Sequence, residues 1–361
     1  MIHFPLTYDM LPQTKRKLGL LLGLPCWNIF PPVARGIVKT AEIADANDPK
    51  AIRRAAEILR AGGLVAFPTE TVYGLGCDAG NALAVARIFE VKARPRIDPL
   101  IVHAADTSSA ERYGDFPQSA RGLMEKFWPG PLTLVVPKKD SVPPIVTAGL
   151  ETVAIRIPAH PAALALINAA GRGIAAPSAN PFGYVSPTEA AHVAEQLGDK
   201  IDLILDGGPC PIGVESTILS MAEGAPCLLR SGGVAIEELE PLVGSLAMPA
   251  GPSARPSAPG MLKRHYATRT RLEISGQRPG EPRAGEKAGL LSLVRPEDPD
   301  RFAAVEVLSP SGNLREAAAN LFRALRRLDS LGLDRIIARP VEETGLGIAI
   351  MDRLRRCAAK D

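Results

Sequence analysis

The run MPAGPSARPSAP, from Met248 to Pro259, divides this chain more firmly than any other feature. Each of its prolines lacks a backbone donor and clashes with the preceding turn, so neither a helix interior nor a central strand runs through it. Gly, Ser and Ala fill the gaps, which is linker composition. The residues on either side must therefore bury cores of their own.

Upstream, a regular pattern begins at Pro49. Ile52, Ala55, Ala56 and Leu59 recur at helical spacing, Gly62 and Gly63 stop the helix, and LVAF follows as a short buried strand. Further apolar runs predict strands at 100–102, 132–136, 153–157, 173–176, 203–206, 217–221 and 227–230, with helices around 81–90, 119–127, 161–170 and 187–197. Ser186, Pro187 and Glu189 form a start signal for the last of these helices. Strands without intervening helices near 203–230 make the sheet mixed. Downstream of the linker, a strand in AGLLSLV, a helix carrying Leu314, Ala317, Leu321, Leu325 and Leu328, a strand in RIIAR and a helix after GLGIAI predict a small α/β domain.

The chain has 361 residues, 46% hydrophobic and 22% charged, the composition of a soluble globular protein. A formal charge of +3 gives no overall field for nucleic acid, so anion binding must come from local clusters. VKARPRIDPL, residues 91–100, is one such cluster. The cysteines at 26, 77, 210, 227 and 357 form no C-x-x-C pair and no zinc spacing, which fits a reducing cytoplasm. Residues 1–39 are expected to be an extension outside the fold, disordered or arising from an over-called start codon, with a weak signal peptide as the alternative. The apolar run ending at Leu24 is too short for a membrane span.

Phosphate-loop, dinucleotide, nucleophile-elbow and zincin motifs are absent from the sequence. Small hydroxyl and cationic residues stand instead where strands end. PTETVYGLG is expected to form a tight loop after the strand at 64–67, with Thr69, Thr71 and Tyr73 on its rim. PSAN follows GIAA, and ESTI opens another strand. Arg156, inside VAIRIP, needs a partner or a ligand. Together these residues suit phosphates plus a small polar molecule bound at strand ends.

The stretches GGLVAFPTETVYGLGCDA, KARPRIDPLIVH, FWPGPLTLV, VAIRIPAHP, APSANPFGYVSPT, GVESTIL, LRSGG and PGMLKRHYA follow one another in an order that resembles the YrdC-like threonylcarbamoyl-AMP synthases in their two-domain form. The likeness runs from about residue 45 to the end, including GLGIAIMDRL. It implies a YrdC-like twisted mixed sheet with flanking helices and a smaller Rossmann-like α/β C-terminal domain. The expected boundaries are a catalytic domain over 45–244, a linker and lid over 245–271, and the small domain over 272–361.

The resemblance also implies the reaction: L-threonine, bicarbonate and ATP, with Mg²⁺, give threonylcarbamoyl-adenylate and pyrophosphate. The adenylate then passes to tRNA threonylcarbamoyl-transferase proteins that modify adenosine 37 of tRNAs, in the cytoplasm. By the resemblance Lys92 and Arg94 hold the ATP phosphates. Thr71 and His103 contact threonine, Arg156 pairs with its carboxylate, Ser216 completes that pocket, and the backbone at Ala176 faces the substrate. Thr152, Ser178, Asn180, Ser186 and Arg230 lie on the nucleotide side. Asp98, in the ATP-binding segment, departs from the family's common Asn, and its charge needs Arg96 or Mg²⁺ to compensate it. Asp352 likewise stands where Asn is common.

His265 and Tyr266, beside Lys263 and Arg264, are expected to form a lid over the adenylate that excludes water from a reactive anhydride. No residue is an obvious general base, which suits attack by the free threonine amine itself. The alternative reading is a non-catalytic RNA-binding or ribosome-associated module, binding RNA weakly through the same concave surface. The near-neutral charge and 4% aromatic content disfavour it. A related hydrogenase-maturation group is set apart by paired C-x-x-C zinc motifs that this chain lacks.

Overall fold

A computed structural model describes residues 40–248, 256–261, 265–276 and 281–359. The expectations for residues 1–39, and for Lys263 and Arg264, lie outside these.

Ten strands form the first sheet: β1 (Glu42–Asp45), β2 (Val65–Phe67), β3 (Gly74–Asp78), β4 (Ile101–His103), β5 (Leu132–Pro137), β6 (Thr152–Arg156), β7 (Ile174–Ala175), β8 (Leu203–Asp206), β9 (Thr217–Ser220) and β10 (Cys227–Arg230). Their spatial order is β1-β8-β2-β3-β7-β4-β6-β5-β9-β10, with parallel and antiparallel pairs mixed as the sequence predicts. The helices are α1 (Pro49–Arg60), α2 (Ala82–Lys92), α3 (Thr107–Ala110), α4 (Arg121–Phe127), α5 (Pro161–Ala170), α6 (Ala190–Leu197) and α7 (Ile236–Val243).

Both sheet faces are covered, which is why the central strands read as continuous apolar runs rather than alternating ones. Val65, Phe67, Leu203 and Leu205 point to one side, under α1 and α5. Leu64, Ala66 and Ile204 point to the other, under α2, α4 and α6. Helix α1 starts where the sequence says: the Asp48 carboxylate accepts from Lys50 N, Pro49 occupies the first turn, and Ile52, Ala55, Ala56 and Leu59 are buried.

Two expectations are corrected. Helix α6 begins at Ala190, and Ser186 does not cap it; its hydroxyl donates to Glu215 Oε1 at 2.6 Å instead. A charged acceptor in a buried place outcompetes a local cap. Tyr73 is not on a rim. Its ring is fully buried and its hydroxyl donates to Gly208 O at 2.8 Å, because the chain after Val72 turns directly into β3.

Beyond the linker, β11 (Leu272–Ile274), β12 (Ala288–Ser292), β13 (Ala304–Val307) and β14 (Arg335–Ala338) form an all-parallel sheet in the order β11-β14-β12-β13. Helices α8 (Leu314–Ser330) and α9 (Leu346–Ala358) pack on it. The small unit's apolar core also takes in Val72, Val185 and Val214 from the first unit and Tyr266 from the connecting strap. Ala258, at the end of the linker, is buried against Ile101, Val135, Ala154 and Ile218 of the large sheet. Among the described residues no helix is long and apolar enough to cross a membrane.

Candidate functional site

A cleft opens at the ends of β4 and β6 and the start of β9. It is lined by Thr69, Thr71, Arg94, His103, Arg156, Ala176, Ser178, Glu215, Ser216 and Arg230, and by Pro259, Gly260, His265 and Tyr266 of the strap.

The parallel register of β4 and β6 sets His103 beside Arg156. Arg156 is 3% exposed, and its burial is compensated on three sides. Nη1 donates to Thr71 Oγ1 at 2.9 Å, Nε donates to Gly130 O at 3.1 Å, and Nη2 lies 2.5 Å from Glu70 Oε1. The hydroxyls form a directed chain. Thr69 donates to Val72 O at 2.6 Å, so Thr71, which accepts from Arg156, donates in turn to Thr69 at 2.9 Å. His103 Nδ1 is buried without a hydrogen-bond partner. Burial first, then the Arg156 charge, hold the ring's pKa at about 3, so it enters the cleft as a neutral imidazole with an acceptor to offer.

The opposite wall is cationic. Arg94 lines the cleft while donating to Asp98 O and Pro99 O and pairing with the Asp98 carboxylate at 2.9 Å. Asp98 is fully buried, and Arg94, not the exposed Arg96, supplies the compensation its charge requires. Lys92 ends α2 just behind this wall. Its ammonium donates to Ser178 O at 2.6 Å and to Asn180 O, so it ties down the loop after β7. Burial, and then Arg94, push the Lys92 pKa well below its ordinary value, a cost that a bound anion would relieve. Arg230 donates twice to Ser216 O, at 3.1 and 2.9 Å, and once to Pro259 O at 3.2 Å, joining β10 to the strap.

Three buried carboxylates are each matched by an arginine: Glu70 with Arg156, Asp98 with Arg94, and Glu215 with Arg353 at 3.0 Å. Lys92 and Arg230 are held by carbonyls instead. Of these two only Arg230 lines the cleft, so beside the Arg94–Asp98 pair the wall carries one guanidinium with no carboxylate partner of its own, an arrangement suited to an anion. Burial alone would raise the Glu215 carboxyl; Arg353, Arg230 and the Ser186 hydroxyl outweigh it and hold it below the ordinary range.

Of the residues singled out in the sequence, Thr71, Arg94, His103, Arg156, Ala176, Ser178, Ser216, Arg230, His265 and Tyr266 meet in this cleft. Ala176 N donates to Ile101 O at 3.0 Å, fixing the backbone that lines the site. Lys92, Asp98, Asn180 and Ser186 stand behind the lining. Asn180 Nδ2 donates to Pro181 O and Tyr184 O. Thr152 starts β6 opposite Pro137, at the strand end away from Arg156. Sequence reasoning passed over Glu70 and Glu215 as partners; for Glu70 the signal was available, since an arginine in an apolar strand calls for an acid. No cluster of His, Cys, Asp and Glu fit to hold a metal occurs among the described residues.

The fold and the cleft define a two-unit α/β protein whose main sheet holds, at its strand ends, an acceptor-and-arginine pocket beside a cationic wall. A family model for "Telomere recombination" matches residues 57–232, and one for "Threonylcarbamoyl-AMP synthase, C-terminal domain" matches residues 234–359. The threonylcarbamoyl-AMP synthase of Bacillus subtilis is 46% identical over 90% of this chain and 97% of its own length; that of Pyrococcus abyssi is 46% identical over 85% and 94%. The crystal structure of P. abyssi Sua5 complexed with L-threonine superposes with a TM-score of 0.82, at 42% identity, over 88% of this chain and 98% of that one. The chain belongs to the threonylcarbamoyl-AMP synthase family.

Proposed function

We propose that the cleft holds L-threonine, bicarbonate and ATP side by side, with Arg156 taking the threonine carboxylate and Arg94 and Arg230 taking the phosphates. The activity itself is that of a nucleotidyltransferase forming threonylcarbamoyl-AMP, as in the curated relatives. The observation that carries the site assignment is the buried Arg156 beside a neutral His103, at one end of a cleft whose other wall carries Arg94 and Arg230. Threonine as the amino acid is supported by the P. abyssi complex.

The chemistry asks for position and charge rather than for a protein nucleophile. The threonine amine attacks the carbon of CO2, losing a proton, or of bicarbonate, whose C–OH bond breaks as water leaves, and in either case becomes a carbamate. A carbamate oxygen then attacks the α-phosphorus, the bond to the β-phosphate breaks, and pyrophosphate leaves. Holding the reactants in line converts encounters into a unimolecular step, and cations beside the leaving group offset its growing charge. Mg²⁺ enters with ATP as part of the substrate; the cleft's Glu215 is already committed to Arg353, so the described lining offers no dedicated carboxylate cage. His265 and Tyr266 act as the lid. The Nδ1 of the one and the hydroxyl of the other are buried in the cleft without partners. The adenylate leaves for tRNA threonylcarbamoyl-transferase proteins.

Pyrophosphate release, measured with threonine and bicarbonate omitted in turn and without RNA, tests the reading. Release is expected only with both present. Equal release without threonine would overturn it.

A further inference from the structure

Arg353 of α9, a fully buried side chain of the small unit, does not line the cleft but touches two residues that do, Glu215 and Tyr266. Its Nε donates to Glu215 Oε2 at 3.0 Å, and Nη1 donates to Ser231 O and to Asp352 Oδ2, both at 2.8 Å. The guanidinium carbon lies 5.3 Å from the centre of the Tyr266 ring. Three of these contacts reach out of the small unit: Glu215 and Ser231 belong to the large unit, Tyr266 to the strap.

Tyr266 is the more telling of the partners. Its φ is +64°, a left-handed conformation that costs a bulky L residue on the order of 1–2 kcal/mol and persists only where surroundings over-determine it. The large unit holds the neighbouring backbone, Ala267 N donating to Gly183 O at 2.7 Å, and the small unit holds the ring. Phe322 of α8 stacks on one side of the ring, with centroids 5.4 Å apart, and Arg353 stands over it. The Tyr266 hydroxyl is thereby held in the cleft, buried and without a partner. On the other arm, Glu215 immediately precedes Ser216, whose carbonyl and hydroxyl hold Arg230. A buried arginine is expensive, and an aliphatic side chain would fill the same space at lower cost. The fixed fork and the cationic face are what an aliphatic side chain would lack.

We propose that Arg353 is a positioning residue for adenylate formation: it holds Tyr266 against the cleft and Glu215 beneath Ser216 and Arg230, so that the small unit completes the nucleotide side of the site. The proposal rests on the reading of the cleft as the place of synthesis.

Full-length Arg353→Met, Tyr266→Leu and the double variant test it, with threonine affinity measured by calorimetry and ATP dependence by pyrophosphate release. Arg353→Met is expected to raise the threonine Kd only a few-fold, through Ser216, because Thr71, His103 and Arg156 do not touch it, while kcat/KM for ATP falls roughly tenfold or more. The double variant should lose no more than about twofold beyond the worse single one, since both act through one ring. Arg353→Lys, which keeps charge without the planar fork, should recover only part of the loss. Losses that multiply in the double variant, or threonine and ATP parameters that fall together with the folded fraction, would overturn the proposal. If Arg353→Met fails to fold, Arg353→Met with Glu215→Gln removes both charges of that buried pair and carries the same comparison. Wild-type protein that releases no pyrophosphate would overturn the reading of the cleft, and the proposal with it.

Discussion

Arg156 shows how far a single residue can be read. An arginine inside an apolar strand must be paired, and the sequence leaves open whether a ligand or a side chain does it. The structure supplies Glu70, Thr71 and Gly130, and sets the guanidinium among the residues that line the cleft. Arg156→Ala therefore has two costs. It should weaken threonine binding by about 2–5 kcal/mol, and it should destabilise the fold by roughly 3–5 kcal/mol through the unpaired Glu70. Arg94→Ala should chiefly damage the nucleotide step, leaving threonine affinity nearly unchanged. Calorimetric titrations of both variants with each substrate decide the matter; the same affinity profile in both would remove the assignment. Glu215 was beyond reach in the sequence for a plain reason. Its partner Arg353 lies 138 positions away, and no local pattern announces a pair made across two units.

At the scale of elements, the strands that are apolar and buried on both faces were legible to within a residue or two, and β8 and β10 fall where the pattern puts them. β3 was not, because GLGCD carries two glycines, which are depleted in strands. The structure explains them. A Cβ on Gly76 would stand 2.7 Å from both Ile174 Cγ2 and Phe67 Cε1, so only glycine lets β2 and β3 meet there. Gly76→Ala should cost about 1–3 kcal/mol by overpacking. The urea midpoint should fall with an unchanged slope, whereas an unshifted midpoint would show that the sheet yields freely. β1 escaped notice for the opposite reason: EIAD is a mostly exposed edge whose pairing with β8 carries its order rather than any apolar run.

For the whole molecule, the proline-rich run was legible as a break but not as a route. Its composition says where a core ends; it does not say that Ala258 packs on the large sheet or that Tyr266 joins the small unit's core. Those contacts set strap residues beside those of the large unit around one cleft, with the small unit packed behind Tyr266, and that cleft is where threonine, carbonate carbon and AMP are proposed to be joined. The direct measurement supplies ATP, L-threonine and ¹³C-bicarbonate to the full-length protein and weighs the adenylate by mass spectrometry. The expected product contains threonine and AMP and is heavier by the single labelled carbon. An adenylate of threonine without the label, or labelled product formed equally well by Arg156→Ala, would contradict it.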